Sequence, residues 1–257
     1  MKISQVAAQL YTVRDHCKTA VDFANTMRRL RGIGYTAVQV SGIGPIPEEE
    51  VVRILDGEGL TCCATHEPSA VVRWEPEKVV ERLQKLGCKY TAYPSPHGVD
   101  FTKEEDVITL AKDLDNAGAV LREAGLVLAY HNHGFEFVPF RGRPALEYIY
   151  DSTDPLNLVS EIDTYWIHYG GGDSVAWCRS MAGRMPLLHL KDYIFTPDNA
   201  PTFAEIGRGT LPFGDIIEEA ENGGCEWFIV EQDTCDGDPV DSLRMSFNHI
   251  RDNLCEA

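Results

Sequence analysis

The sequence predicts a single closed (β/α)8 barrel of α/β class spanning residues 1–257. Short β-rich apolar runs alternate with longer stretches of helical spacing, and the alternation continues to the C-terminus. It occurs eight times. No dinucleotide-binding glycine fingerprint follows the first strand, where Gln9-Leu10-Tyr11 stands instead. Eight parallel strands with crossover helices in about 250 residues fit a closed barrel better than a doubly wound sheet, which usually has about six strands.

Taken in order, the strands are expected at Val6 to Leu10, Ala37 to Val40, Thr61 to Thr65, Tyr90 to Tyr93, Leu126 to His131, Leu158 to Ile162, Leu187 to Leu190 and Phe228 to Val230. Helices are expected over 19–31, 47–57, 76–86, 103–124, 144–151, 173–182, 214–222 and 239–253. Several open on Pro or Asp and close on Gly, as at Gly87, Gly125 and Gly183. No linker rich in Pro, Gly or Ser divides the chain into two domains. The longest irregular stretch, Phe195 to Leu211, follows strand seven, where a barrel carries active-site loops.

Forty acidic against 23 basic residues give a formal charge of −17. Such a field disfavours nucleic acid and anionic membrane surfaces, so a small neutral or locally steered substrate is the expected partner. The eight cysteines are too few for a disulfide framework in a chain of this size. The opening MKISQVAAQLYTVRD has no secretory pattern, and no apolar run approaches the roughly 20 residues of a membrane span. A cytoplasmic chain with reduced thiols is expected; a homo-oligomer is compatible with all of this.

The strand ends carry the chemistry, because catalytic groups of such barrels come from the C-terminal ends of strands. Strand three ends Thr65-His66-Glu67, strand five runs into His131-Asn132-His133-Gly134-Phe135-Glu136, and strand six ends Glu161-Ile162-Asp163. Strand seven ends His189-Leu190-Lys191-Asp192 and strand eight ends Glu231-Gln232-Asp233. A single divalent ion needs three or four ligands converging from different elements; oxygen-rich sets suit Mn²⁺ or Mg²⁺, and imidazole admits Zn²⁺ or Co²⁺. Asp163, His189 and Glu231 stand at matching depth on strands six to eight. Strand five offers His131, which shares a face with His133, or Glu136 beyond a glycine, and spacing does not choose between them.

Each residue also has a plainer reading. An acid ending a strand is more often a helix N-cap than a ligand, although four consecutive strand ends each offering a ligand-type residue favour the metal. His66 either binds substrate or is a hydrogen-bonded rim histidine; His97 and His168 lie further out and read as surface residues. Cys62-Cys63 reads as core. Tyr165-Trp166 and Glu226-Trp227-Phe228 either wall a sugar pocket or pack the rim. Lys191 shares the face of His189 and either reaches a substrate oxygen or pairs with Asp192 or Asp163.

Six segments together resemble the sugar phosphate isomerase/epimerase family of the xylose isomerase-like TIM-barrel superfamily. They are Ala8-Gln9-Leu10-Tyr11-Thr12-Val13-Arg14-Asp15, Tyr130 to Phe137, Asp163-Thr164-Tyr165-Trp166, His189-Leu190-Lys191-Asp192, Gly207-Arg208-Gly209-Thr210 and Val230-Glu231-Gln232-Asp233. That superfamily also contains inosose dehydratases, ketose 3-epimerases, 3-dehydroshikimate dehydratases and endonuclease IV. The resemblance implies one divalent ion held by Glu, Asp, His and Glu from strands five to eight, of which Asp163, His189 and Glu231 match the last three. The chain departs from the pattern at His131, where the family's glutamate ends strand five, and at Gln39, where many relatives have a glutamate.

The resemblance implies a metal-dependent isomerase or epimerase acting on a sugar, keto-sugar or sugar phosphate through an enediolate, or alternatively a dehydratase or lyase acting on a keto-sugar or cyclitol. The base would be Glu136 if His131 binds the metal, and His131 or His133 otherwise. Lys191 and His66 would orient or protonate substrate oxygens, with His133, Gln9 and Trp166 also on the substrate. An endonuclease IV-like nuclease is disfavoured by the charge, by Thr164-Tyr165-Trp166 after Asp163 and by the lack of Asp-x-His after strand seven. A barrel that binds sugar without turnover is the remaining class.

Overall fold

The computed structural model describes residues 1–256. Eight strands close into one parallel barrel: β1 (Val6–Gln9), β2 (Ala37–Val40), β3 (Thr61–His66), β4 (Tyr90–Tyr93), β5 (Val127–His131), β6 (Leu158–Asp163), β7 (Leu187–Leu190) and β8 (Trp227–Val230). β1 pairs with both β2 and β8, so the sheet has no edge. The long helices fall where periodicity places them, for example Ala20–Ile33, Pro76–Leu86, Glu104–Glu123 and Pro239–Asn253. Among the described residues no helix is long and apolar enough to cross a membrane.

Two short helices, Ser69–Trp74 and Thr164–Tyr169, occupy segments expected to be loops. Each has six residues, too few for a periodic pattern to register. The stretch expected to be irregular after strand seven contains an antiparallel ribbon, Asp192–Phe195 against Pro201–Ala204. Its strand formers were masked by the Thr196-Pro197-Asp198-Asn199 turn between them, where Asn199 takes a positive φ of 60°. Glu226 and Trp227 lie at the start of β8, at the end of the barrel opposite the strand ends that carry the polar residues, so they wall no pocket there.

Side-chain alternation sorts the core into two parts. Outward residues such as Val38, Leu128, Ile162 and Leu188 pack under the helices. Inside the barrel the packing layer is dominated by small side chains: Ala7, Ala37, Ala64, Ala92 and Ala129, with Leu187 and Ile229. Their size leaves room above them for longer polar groups to descend from the strand ends. One irregularity matters for the site. The β2–β3 register shifts between Val38, opposite Cys62, and Gln39, opposite Ala64, which leaves Cys63 as the extra residue of a bulge. Cys63 and Ala64 therefore both face inward, and the resumed alternation brings His66 inward as well.

Helix 104–123 approaches the barrel closely at Gly118, where a Cβ would lie 1.9 Å from the Asn157 carbonyl oxygen. Gly57, inside helix Glu48–Glu58, meets nothing within 4 Å. Alanine is the better helix former at both sites, by about 0.5–1 kcal/mol. Gly57→Ala should therefore stabilise the fold by up to that amount, whereas Gly118→Ala should destabilise it by about 2–3 kcal/mol through the backbone collision. Urea unfolding of the two variants checks both signs.

Candidate metal and substrate site

At the C-terminal mouth of the barrel, two overlapping groups of side chains bring their ligand atoms within 4.8 Å of one another: His131, Asp163, His189 and Glu231, and below them His66, His131, Glu161 and His189. Adjacent strands supply neighbours directly, since His131 sits opposite Glu161 and Asp163 opposite His189 in the ladder. In the upper group His189 Nδ1 is 2.9 Å from Glu231 Oε2 and 3.9 Å from Asp163 Oδ2, and His131 Nε2 is 4.0 Å from Asp163 Oδ2. Ligand atoms about 2.1 Å from a shared ion lie roughly 3–4 Å apart, so little adjustment separates this arrangement from a coordination shell.

Asp163 is a helix cap and also a member of the upper group. Its Oδ1 caps the following helix by accepting from Trp166 N at 3.0 Å, while the buried Oδ2 faces the Lys191 ammonium at 3.2 Å and the neighbouring ligand-type atoms. His131 Nδ1 lies 3.1 Å from the Glu161 carboxylate, which leaves Nε2 facing Asp163. Burial, with the neighbouring His189 charge, drops the His131 pKa to about 3, so its imidazole is neutral and its lone pair available. The donor set of two imidazoles and two carboxylates suits a divalent transition ion.

The charge balance supports the same conclusion. Glu161, Asp163, Glu231 and Asp233 face Lys191 and His189. Although burial opposes their charge, Glu161 is held well below the usual carboxylate range by His189 and His66, and Glu231 by Lys191 and His189. Burial pushes Asp163 up to about 6, which leaves it mostly ionised at neutral pH. His189 overcomes its own burial through Glu161 and Glu231 and rises to about 10. Two cations thus oppose four carboxylates, and even a proton on His66 would leave negative charge in excess.

Below the upper group runs a buried polar chain. Gln39 Oε1 accepts from Gln9 Nε2 at 2.8 Å and from His189 Nε2 at 2.7 Å, and Gln39 Nε2 donates to Glu161 Oε2 at 2.7 Å. Glu161 Oε1 in turn accepts from His66 Nε2 at 2.6 Å. Glu161 is not among the ligands expected from the sequence, which takes Asp163 from strand six. Its signal is the two-residue step from Asp163, which places both acids inside the barrel. The neutral amide at Gln39, where an acid is expected in relatives, both donates to and accepts from this chain.

The remaining candidates divide. His66, His131 and His133 line a cavity of about 610 Å³ together with Glu231 and Asp233. Trp166 stands beside it, its ring 5.3 Å from that of His133. Gln9 is wholly buried in the polar chain. Glu136 belongs to neither ligand group: its carboxylate accepts from Tyr130 Oη and from His133 N, both at 2.9 Å, and burial raises its pKa to about 7. Of the two strand-five alternatives, His131 is the one brought to Asp163, His189 and Glu231, and Glu136 braces the loop behind it.

Lys191 is buried beside Asp163 and Glu231 rather than placed on the cavity wall. Its ammonium lies 2.8 Å from Glu231, 3.0 Å from Asp233 and 3.2 Å from Asp163, under the rings of Trp166 and Phe203. Of the two pairings in its plainer reading, the one with Asp163 is present and the one with Asp192 is not. Asp192 instead accepts from the backbone N–H groups of Tyr193, Gly207, Gly209 and Leu211. It thereby holds the Gly207-Arg208-Gly209-Thr210 loop, and a Cβ on Gly209 would lie 2.2 Å from its carboxylate.

Residues 27–253 match the family model of the xylose isomerase-like TIM barrel, and the chain belongs to that family. It is 23% identical over 166 residues to an inosose dehydratase of Clostridium perfringens, covering 58% of this chain and 55% of that protein. It is 26% identical over 205 residues to the inosose dehydratase of Geobacillus kaustophilus, covering 66% and 65%. The chain thus spans between about half and two thirds of the length of these curated relatives. In fold it is similar to the crystal structure of a sugar phosphate isomerase/epimerase from Parabacteroides distasonis, with a TM-score of 0.82, 21% identity, and coverage of 98% of this chain and 95% of that one.

The lysine pairing has a measurable consequence. Lys191→Met removes a buried cation from three carboxylates and should cost the metal-free protein about 3–5 kcal/mol, read from denaturant unfolding. Added Mn²⁺ should restore much of that loss, because it supplies positive charge to the same carboxylates.

Proposed function

We propose that the chain is a divalent-metal-dependent enzyme that isomerises or epimerises a sugar, keto-sugar or sugar phosphate by moving a proton on carbon next to a carbonyl. The observation that carries this reading is the convergence of His131, Asp163, His189 and Glu231 in a cluster of excess negative charge, of which His131 and Glu231 reach the cavity wall. These four residues would hold the ion, His189 giving up its Nδ1 proton to do so, and the ion when bound supplies Lewis-acid polarisation of a substrate oxygen and stabilises the enediolate. Mn²⁺, Zn²⁺, Co²⁺ and Mg²⁺ are the candidate ions.

Proton movement falls to the side chains that line the cavity. His66 is oriented by Glu161, whose ionised carboxylate would stabilise the imidazolium formed when Nδ1 takes up a proton. The nearest contact of that Nδ1 is the Gln9 amide at 3.4 Å, long enough to be given up to a substrate. His133, kept neutral by burial with a pKa near 2 and with Nδ1 free of hydrogen bonds, stands on the cavity wall to position a substrate hydroxyl. Lys191 acts indirectly, by holding Asp163 and Glu231 in place as ions.

A second reading, a dehydratase, is favoured by the similarity to inosose dehydratases. The proton removal is common to both readings; they differ in whether a hydroxyl departs as water afterwards.

Incubating the Mn²⁺-loaded protein with a panel of sugars, keto-sugars and cyclitols in D₂O tests the proposal. At least one compound should acquire carbon-bound deuterium or lose water, and chelation should abolish the change; no exchange or elimination across the panel would contradict the proposal. His66→Ala should lower kcat about 10²- to 10⁴-fold while retaining the metal.

A further inference from the structure

The cavity has a second polar region that the metal and proton chemistry leave unused. Among the described residues Arg14 is the only lysine or arginine on its wall, in a chain of formal charge −17. Its Nη1 donates to the backbone carbonyls of Tyr11 at 2.7 Å and Asp233 at 3.1 Å, and its guanidinium lies 4.2 Å from the centre of the Tyr11 ring. Those contacts fix the group but neutralise none of its charge. Among the described residues Arg14 makes no ion pair, and its Nη2 and Nε have no protein acceptor.

The surroundings are shaped around it. Gly42, with a φ of 67°, has no side chain where a Cβ would come within 2.9 Å of the Tyr11 ring and 3.4 Å of Arg14 Cβ. Ser41 beside it is buried and lines the cavity, as does Thr234, which follows the Asp233 carbonyl that Arg14 grips. A pre-oriented guanidinium fork with hydroxyls nearby has the geometry for two parallel bonds to a carboxylate or phosphate.

We propose that the substrate carries an anionic group, a carboxylate or a phosphate, and that Arg14 with the Ser41 and Thr234 hydroxyls receives it at the end of the cavity away from the barrel floor. The proposal rests on the reading of this cavity as the substrate site. It narrows the substrate class to sugar acids and sugar phosphates.

Calorimetric titration of glucose, glucuronate, glucose 6-phosphate and inorganic phosphate into the whole protein, metal-loaded and chelated, tests it. At least one anion should bind about tenfold or more tightly than glucose, in both metal states and less so at high salt. Which anion wins separates a carboxylate from a phosphate. Arg14→Gln should erase the preference at unchanged fold by circular dichroism; should that variant fail to fold, Arg14→Lys, which keeps the charge and loses the fork, should reduce it several-fold. No anion preference, a preference that vanishes on chelation, or one that survives in the Arg14 variants would overturn the proposal. Exchange in D₂O on the same samples separates the two readings: deuterium uptake into neutral sugars without anion preference refutes the anion site alone, and anion preference without exchange on any compound refutes the reaction alone.

Discussion

The interior of this barrel is built around ionised carboxylates that burial alone would protonate. Taking several acids out of water together is among the costliest arrangements a fold can hold, and it persists only where cations and hydrogen-bond donors meet each one. Here Lys191 lies against Glu231, Asp163 and Asp233, and His189 bridges Glu161 and Glu231. The alanines lining the barrel below follow from the same constraint. Larger side chains at Ala7, Ala37 or Ala64 would fill the space into which Gln9, Gln39, Glu161 and His66 extend.

Around this charged centre the protein separates rigid support from accessible surface. Gln9 and Gln39 are fully buried and have hydrogen-bond partners, and they orient His189 and Glu161 from beneath. Glu136 and Asp192 do comparable work for loops: the first ties the segment after β5 to Tyr130, and the second gathers four backbone N–H groups of the segment after β7. The histidines that face the cavity, His66, His131 and His133, stand on these supports.

Much of this was legible in the sequence, for a physical reason: eight buried parallel strands need apolar runs, and their crossovers need amphipathic helices, so strand and helix positions are written locally. Asp163, His189 and Glu231 were legible because chemistry in this fold collects at strand ends. What was not legible depends on contacts across the barrel. His66 owes its direction to the bulge at Cys63, which a run of two cysteines does not announce. Glu161 was passed over in favour of Asp163 because a strand's last residue draws attention, although the acid two positions earlier shares its face. Sequence spacing could not choose between His131 and Glu136; the hydroxyl of Tyr130 and the N–H of His133, which occupy Glu136, decide where each sits.

His131, Asp163, His189 and Glu231 stand in a buried cluster whose carboxylates outnumber its cations, which calls for a dication. Elemental analysis of the purified chain after reconstitution with Mn²⁺ and removal of free ion, alongside Asp163→Asn and Glu231→Gln, measures this directly. About one ion per wild-type chain and a loss of at least tenfold in affinity in each variant is the predicted result. A wild-type chain that retains no ion, or variants that hold it as tightly as the wild type, would contradict the account.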